Sequence, residues 1–477
     1  MLAPENCSYS QETLSVWNQS APRVYICVVL CFPCDNTRRQ DAVEHIEEAL
    51  KRLARERPVF AGRLQSSNTG LVTLRRSPHN DIPFQLHPSR PETELNYEQL
   101  RAEGFPPATF ISSRFAVSGV PDSSHDSIPV SKVQGEFVHD GLLLSLYLHH
   151  GLVDGSSLRI FLETFAAQTR NVSSDLPSEQ AFCVPVPNGK EWRSATHIHD
   201  LTMFKRTMAK CPEYTLLQDL SGPTQPRYHK KGLSMPKIER MGKIFVFHTE
   251  RLQQLRELIR TLNGSSELPT AYTSLAALSF AHITKARMKV ERYLTGVEPN
   301  QTAMLWNSVN WRTRAFQNAT ENYFGNAALP AVTKVSKVQL VAACHDDREL
   351  ASLVPGIKAS IDAVDEEYVT RRLAMLSQAP DPRLIGVNYD PRMAETLAFN
   401  TWRHFGADVE WSIPGVPVAK PDAIRRAHGA WNLGTALILP ARAGSPTQEL
   451  FVSLSVDAMD LLSEDEGWMY WVDRVIG

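Results

Sequence analysis

Apolar residues crowd into RVYICVVLCF (23–32), a β-branched run that predicts a strand buried on at least one face. The period then changes. In AVEHIEEALKRLARERP (42–58), Val43, Ile46, Leu50 and Leu53 recur at spacings of three and four, which builds one apolar helical stripe. Glu47 with Lys51, and Glu48 with Arg52, place i,i+4 pairs on the wet side, and Pro58 closes the helix. Further on, QGEFV and LLLSLYLHH flank His139-Asp140-Gly141 and predict a hairpin. The second arm ends in a histidine pair, His149-His150. After Asp154-Gly155 the helical period resumes through Leu158, Phe161, Leu162 and Phe165, with Asp154 or Ser156 as the cap.

From residue 172 to 241 the pattern dissolves into Pro, Ser and charged residues with short helical pieces. A stretch this long predicts a crossover between domains. A second half follows. TERLQQLRELIRTLNG (249–264) reads as a helix closed by Asn-Gly, and YTSLAALSFAHITKAR (272–287) as another. TALILPA (435–441) and LFVSLSVD (450–457) read as a late antiparallel pair. Interleaved strands and helices in both halves predict a mixed-sheet α/β fold, with an N-terminal domain over 1–171, the crossover over 172–241 and a C-terminal domain over 242–477.

A chain of 477 residues has room for such a division. Net charge is −2 with basic residues scattered, which gives no footprint for nucleic acid or a polybasic membrane contact. No apolar run reaches the ~20 residues of a membrane span. The N-terminus lacks a signal peptide's basic start and apolar core. N-x-[ST] sequons, at Asn18, Asn263 and Asn318 among others, are therefore read as chance matches. Seven cysteines form neither a disulfide framework nor a zinc pattern, and the lone Cys31-x-x-Cys34 reads as packing. The expectation is a reduced, cytoplasmic, monomeric protein.

The candidate chemistry sits on the strand-to-helix turn HHGLVDG (149–155). A structural histidine, a metal site and a general base compete there. Gly151 and Gly155 would permit a tight, unusual backbone. A catalytic metal needs three protein ligands. His150 and Asp154 supply two, strand alternation turns His149 to the other face, and the only other cluster, HIHD (197–200), lies in the crossover. A neutral imidazole is well matched to taking a proton from an alcohol near neutral pH, with the carboxylate orienting the turn or holding a cation. No nucleophilic side chain is needed if the acceptor attacks an activated acyl donor directly. The absence of G-x-S-x-G, P-loop and G-x-G-x-x-G motifs counts against serine hydrolase, kinase and dinucleotide oxidoreductase chemistry.

HHGLVDG resembles the HHxxxDG signature of the BAHD acyltransferases, within the chloramphenicol-acetyltransferase-like superfamily. Further segments carry the likeness in the same order: LSVWNQSAPRVYICVVLCFP (14–33), VEHIEEALKRLARERPVFAGRL (43–64), SVNWRTR (308–314), ENYFGNA (321–327) and LFVSLSVDAMDLL (450–462). The resemblance implies two chloramphenicol-acetyltransferase-like domains with the active-site channel at their interface, no bound cofactor or metal, and acyl-CoA, acetyl-CoA first, as co-substrate. It implies transfer to a hydroxyl of a fungal-type secondary metabolite, with the small-molecule acceptor and CoA as the only partners. Carried onto this chain, His150 becomes the general base and Asp154 turns away to pair with Arg312. His149, Gly151 and Gly155 become structural, while Asn322, Tyr323, Gly325 and Asn326 shape the second domain's side of the channel.

One motif departs. The family's DFGWG falls near DVEWS (408–412), where Asp408 and Trp411 remain but both glycines and the Phe are gone. That loop supports the CoA-side architecture in the family, so the change reads as tolerated structural drift or as altered donor use. The same fold could then serve N-acylation, intramolecular acyl transfer or a cyclisation driven by proton abstraction without CoA. A non-catalytic binding protein and a metal-dependent hydrolase are the rivals from other classes.

Overall fold

The computed structural model describes residues 10–67, 70–87, 95–119, 126–173, 198–216, 233–296, 299–315, 321–379, 381 and 385–477. The elements that frame the site are, in chain order, β1 (Tyr25–Pro33), α1 (Arg39–Glu56), β2 (Phe84–Leu86), β3 (Ser131–Val138), β4 (Gly141–His149) and α2 (Gly155–Thr169) in the first half. In the second half they are β5 (Arg240–His248), α3 (Thr249–Leu262), α4 (Ala271–Val290), β6 (Thr302–Asn310), β7 (Ala328–Ser336), α5 (Asp347–Asp362), β8 (Thr396–Thr401), β9 (Ala423–Ala427), β10 (Thr435–Ile438), β11 (Thr447–Ser455), α6 (Val456–Ser463) and β12 (Arg474–Ile476).

The first sheet runs β9-β1-β4-β3-β2, antiparallel except for the β2–β3 pair. Every residue of β4 is buried, because the sheet is covered on both faces. On one face Val28, Leu30, Leu144 and Leu146 meet the apolar stripes of α1 and α2. On the other, Val29, Leu143 and Tyr147 meet Tyr97 and Phe110. The hairpin closes with Val138 opposite Gly141, leaving a two-residue turn in which Asp140 takes φ +57°, a conformation an Asx side chain tolerates.

The second sheet runs β7-β6-β8-β10-β11-β5-β12 and is mixed, with β6–β8 and β8–β10 parallel. Helices α3, α4, α5 and α6 cover one face, and α4 is buried along most of its length. Asn263 caps α3 before Gly264 at φ +60°, and β10 pairs antiparallel with β11 from Thr435–Ser453 to Ile438–Leu450. Both are as the sequence pattern indicated.

Two segments cross the contiguous division at 171 and 242. β9 leaves the second half and pairs with β1, from Ala423–Cys31 to Ala427–Cys27, so that an apolar strand edge is filled. Ala407, Trp411, Ile413 and Ile424 enter the first core with it. In return, the short helix Val16–Ser20 packs on the second half, where Trp17 meets Trp311 at 5.5 Å between ring centroids. The first residue of the HIHD cluster, the side chains of the rest of it and most of the expected crossover fall outside the described residues. The described backbone there forms a helix at Ile198–Met208 and a strand at Tyr214–Leu216 that pairs with Ile385–Val387. No described helix is long and apolar enough to cross a membrane.

Trp411 is 3% exposed and packs edge-on against Phe165 at 5.2 Å and Phe32 at 6.1 Å. Replacing it with Ala empties a ring-sized space in the first core and costs about 3–5 kcal/mol. Urea unfolding measures this, and a loss below about 1 kcal/mol would contradict the packing.

Candidate active site

The chain leaves β4 at His149 and turns sharply. The His149 carbonyl accepts from Leu152 and Val153 N–H, and α2 then starts at Gly155 with Asp154 as its N-cap, accepting from Ser157 N–H at 2.9 Å. Gly151 and Gly155 are not in the left-handed region, so an unusual backbone is not why glycine stands there. The constraint is space. A Cβ on Gly151 would lie 2.8 Å from the His149 ring, and one on Gly155 would lie 2.4 Å from the Phe405 ring.

Asp154 points away from the turn and into the other half of the molecule. Its carboxylate meets Arg312, just past the end of β6, in a bidentate pair of 2.7 and 2.9 Å with both side chains buried. Ala327 N–H adds a contact of 2.9 Å, which fills the remaining acceptor capacity. Burial pushes this carboxyl up, yet the Arg312 charge and the N–H donors hold it below the usual carboxylate range. Arg312 is itself saturated. It donates to the carbonyls of Tyr323 (3.0 Å) and Gly325 (2.6 Å), to Ser157 Oγ (3.2 Å) and to Asn310 Oδ1 (3.2 Å). Both oxygens of the carboxylate are thus taken up by Arg312 and the two backbone N–H donors.

The two histidines live differently. His149 is 2% exposed, accepts from Gly151 N–H at Nδ1 (3.0 Å) and donates from Nε2 to the Gly119 carbonyl (2.8 Å). One ring nitrogen must accept and the other donate, so the neutral tautomer is fixed, and burial pushes its pKa down to about 4. His150 is half-buried and lines the cavity. Its backbone is clamped, N–H to the Val24 carbonyl (2.7 Å) and carbonyl to Asn326 Nδ2 (2.8 Å). Burial holds its pKa below the ordinary imidazole value, against opposing contributions from its own backbone carbonyl and Asp154.

The cavity spans about 1380 Å³ and is walled by both halves: Tyr25, Cys27 and His150 from one side, Trp306, Asn310 and Asn400 from the other. Single small-molecule sites hold roughly 300–1,000 Å³, so there is space here for two ligands at once. Of the second-half candidates only Asn326 lines it. Tyr323 and Gly325 instead hold Arg312 through their carbonyls, and Asn322 is half-buried off the cavity wall. Asp408 and Trp411 do not line it either. Asp408 is exposed, accepting from Ala443 N–H and facing Lys420 at 3.5 Å, and Trp411 belongs to the first core. The wall beside Gly155 is built by Trp402 and Phe405 from the same segment.

Sequence reasoning missed Asn18. Its Oδ1 accepts from both the backbone and side-chain N–H of Asn326 at 2.9 and 3.0 Å, and so holds the residue that holds His150. Its local NQS context carries no sign of a partner 308 residues away. Ser157, which bridges Gly325 N–H and Arg312, was missed as well.

A family model described as the Transferase family matches residues 3–468. Trichothecene 8-O-acetyltransferase of Fusarium sporotrichioides is 25% identical over 91% of this chain and 92% of its own. An eremophilane O-acetyltransferase of Penicillium roqueforti is 22% identical over 94% and 96%. Among solved structures, F. graminearum TRI101 complexed with ethyl coenzyme A superimposes with a TM-score of 0.78 at 17% identity, covering 98% of this chain and all of that one. Vinorine synthase superimposes at 0.62 and 16% identity over 99% and 96%. The two-domain mixed α/β architecture is the one these proteins share.

Two outcomes follow from the geometry. Asp154→Asn leaves Arg312 buried without its counter-charge and costs about 3–5 kcal/mol in denaturant unfolding. His149, neutral when folded, binds a proton more readily once unfolded, so between pH 6.5 and about 4 the unfolded chain carries more protons. Its contribution to stability is intact above pH 6.5 and is lost as pH falls towards 4. His149→Gln should flatten that part of the stability–pH curve.

Proposed function

The chain belongs to the Transferase family, and from that premise we propose that it is an acyl-CoA-dependent O-acyltransferase working on a hydroxyl of a fungal-type secondary metabolite. Acetyl-CoA is the donor we favour. The observation that carries this reading is a clamped, half-buried imidazole, held neutral, at the wall of an inter-domain cavity large enough for donor and acceptor together. The acetyltransferase names of relatives aligned over nine-tenths of the chain support the donor and the acceptor class.

In this mechanism His150 takes the proton from the acceptor hydroxyl as its oxygen attacks the thioester carbonyl. The tetrahedral oxyanion collapses, the C–S bond breaks, and the imidazolium returns the proton to the departing CoA sulfur. Burial matters to the first step. A pKa held below its ordinary value keeps His150 unprotonated and ready to accept at neutral pH. Asp154 and Arg312 act by positioning, since both are consumed in their own pair. His149, Gly151 and Gly155 support the turn; Asn326 holds the His150 carbonyl. Asp408 and Trp411 belong to the framework under the CoA side. No metal or resident cofactor takes part. The protein works as a cytoplasmic monomer on small molecules, without nucleic acid or membrane.

Purified protein with acetyl-CoA and a panel of hydroxylated sesquiterpenoids and alkaloids should release free thiol and form acetate esters. His150→Ala should lower kcat by about 10²–10⁴-fold with the fold intact by circular dichroism. Absence of CoA release with every donor and acceptor would overturn the reading. For the active enzyme, kcat/KM should hold steady as pH falls through 6.5 and drop only below it, because the base titrates below the ordinary imidazole value. A midpoint at or above 6.5 would contradict that assignment.

A further inference from the structure

β9 carries two adjacent arginines in AIRRA, and successive strand residues face opposite ways. Arg425 is fully engaged: its guanidinium pairs with Glu449 at 2.7 Å and donates to the carbonyls of Gly104 and Phe105. Arg426 is the opposite case. It lines the cavity, and among the described residues it makes no ion pair and no hydrogen bond, while its Nη1 is buried without a partner. The neighbouring Cys27 offers no counter-charge, because burial pushes its thiol up to about 12. Loss of water pulls the guanidinium down to about 10, which still leaves it charged at neutral pH.

Arg426 is half-buried, and a partly desolvated charge without a partner costs stability; on a cavity wall it is most simply balanced by a ligand. The wall it shares is informative. Arg426 stands opposite Val28 on β1, and Val28 stands opposite Leu146 on β4, so the three share one face of the sheet. Leu148 continues that face along the same strand, and His150 follows just past the strand's end. Two strand spacings and four residues separate the Cα positions of Arg426 and His150, roughly 10 Å sideways and roughly 13 Å lengthwise. The Arg426 side chain shortens that gap for a ligand lying between them.

We propose that Arg426 selects acceptors that carry a carboxylate, pairing with it in bidentate fashion while the acceptor's hydroxyl reaches His150. This rests on the acyl-transfer reading for the role of the hydroxyl. The donor's phosphates are the other anions to consider, and the cavity handles cations for them differently. Arg260, Arg314 and Lys358 each stand beside a carboxylate, Glu257 at 2.9 Å and Asp362 at 3.7 and 2.6 Å, and Arg403, also on the wall, donates to Gln448 Oε1. A polyphosphate needs several cations together, whereas Arg426 stands beside His428, whose pKa is lowered by burial, by Arg426 and by Arg240, and Arg240 is itself engaged with the Trp431 carbonyl. One guanidinium fits one carboxylate.

The test uses binding, read by calorimetry without turnover, so failure of acyl transfer would not imitate failure here. Cholic acid and 12-hydroxydodecanoic acid are each compared with their methyl esters. The wild-type chain should bind at least one acid about 10-fold more tightly than its ester. R426L should erase the difference and R426K should retain part of it. Without ligand, R426L should unfold at the same or a higher temperature, because it removes an uncompensated charge; this shows that lost binding is not lost folding. Esters binding as well as acids, neither acid binding, or a preference that survives R426L would each overturn the proposal. A comparable weakening of CoA binding by R426L would assign the arginine to the donor's phosphates and overturn it too.

Discussion

The carboxylate of Asp154 and the guanidinium of Arg312 meet where the β4–α2 turn of one domain touches the end of β6 in the other. Two opposite charges taken out of water gain little unless every donor and acceptor is satisfied. Here they are, by the N-cap contact, Ala327 N–H, the carbonyls of Tyr323 and Gly325, and Ser157 Oγ. The pair works as a register pin. It fixes the start of α2, the path of residues 323–327 and the approach of the two sheets in one set of bonds. Asn326 lies on that path, so the clamp on the His150 carbonyl follows from the pin.

The histidine pair shows how one turn gives neighbouring identical side chains opposite tasks. His149 points to the crowded face, where a carbonyl and a backbone N–H fix its tautomer and a Tyr25 ring stands edge-on at 5.2 Å. It cannot accept a proton without losing a bond. His150, one residue on, takes the other face. Its backbone is held on both sides and its ring is left to the cavity. Its position is fixed through main-chain bonds.

Much of this was legible in the chain because it is local. The α1 stripe, the His139-Asp140 turn, the α3 stop at Asn263-Gly264 and the β10–β11 pair all follow from period and turn chemistry within a few residues of themselves. The candidate site's turn was legible for a related reason: HHGLVDG is a contiguous strand–turn–helix. What escaped is what the fold brings together from far away. Asn18 meets Asn326 across 308 positions, and β9 joins a sheet whose other strands end at residue 149. The glycines were identified but their reason was not. Gly155 is small because Phe405 lies on it, which no local pattern reveals. The same exchange moved the weight of the 402–412 segment from Asp408 and Trp411 to Trp402 and Phe405, since only the latter pair reaches the cavity.

Three buried or half-buried arginines then separate framework from site by their bonding alone. Arg312 and Arg425 each meet a carboxylate and carbonyl oxygens, so their charges are balanced inside the chain and their geometry is fixed. Arg426, from the same strand as Arg425, has neither among the described residues, and its Nη1 is buried without a partner. A folded chain tolerates that cost only where stability is spent on something else, and cavity walls are where proteins carry it. The period-two alternation of a strand provides the means. Placing two arginines side by side in β9 sends one charge into the architecture and presents the other to the channel, at no cost in backbone pairing.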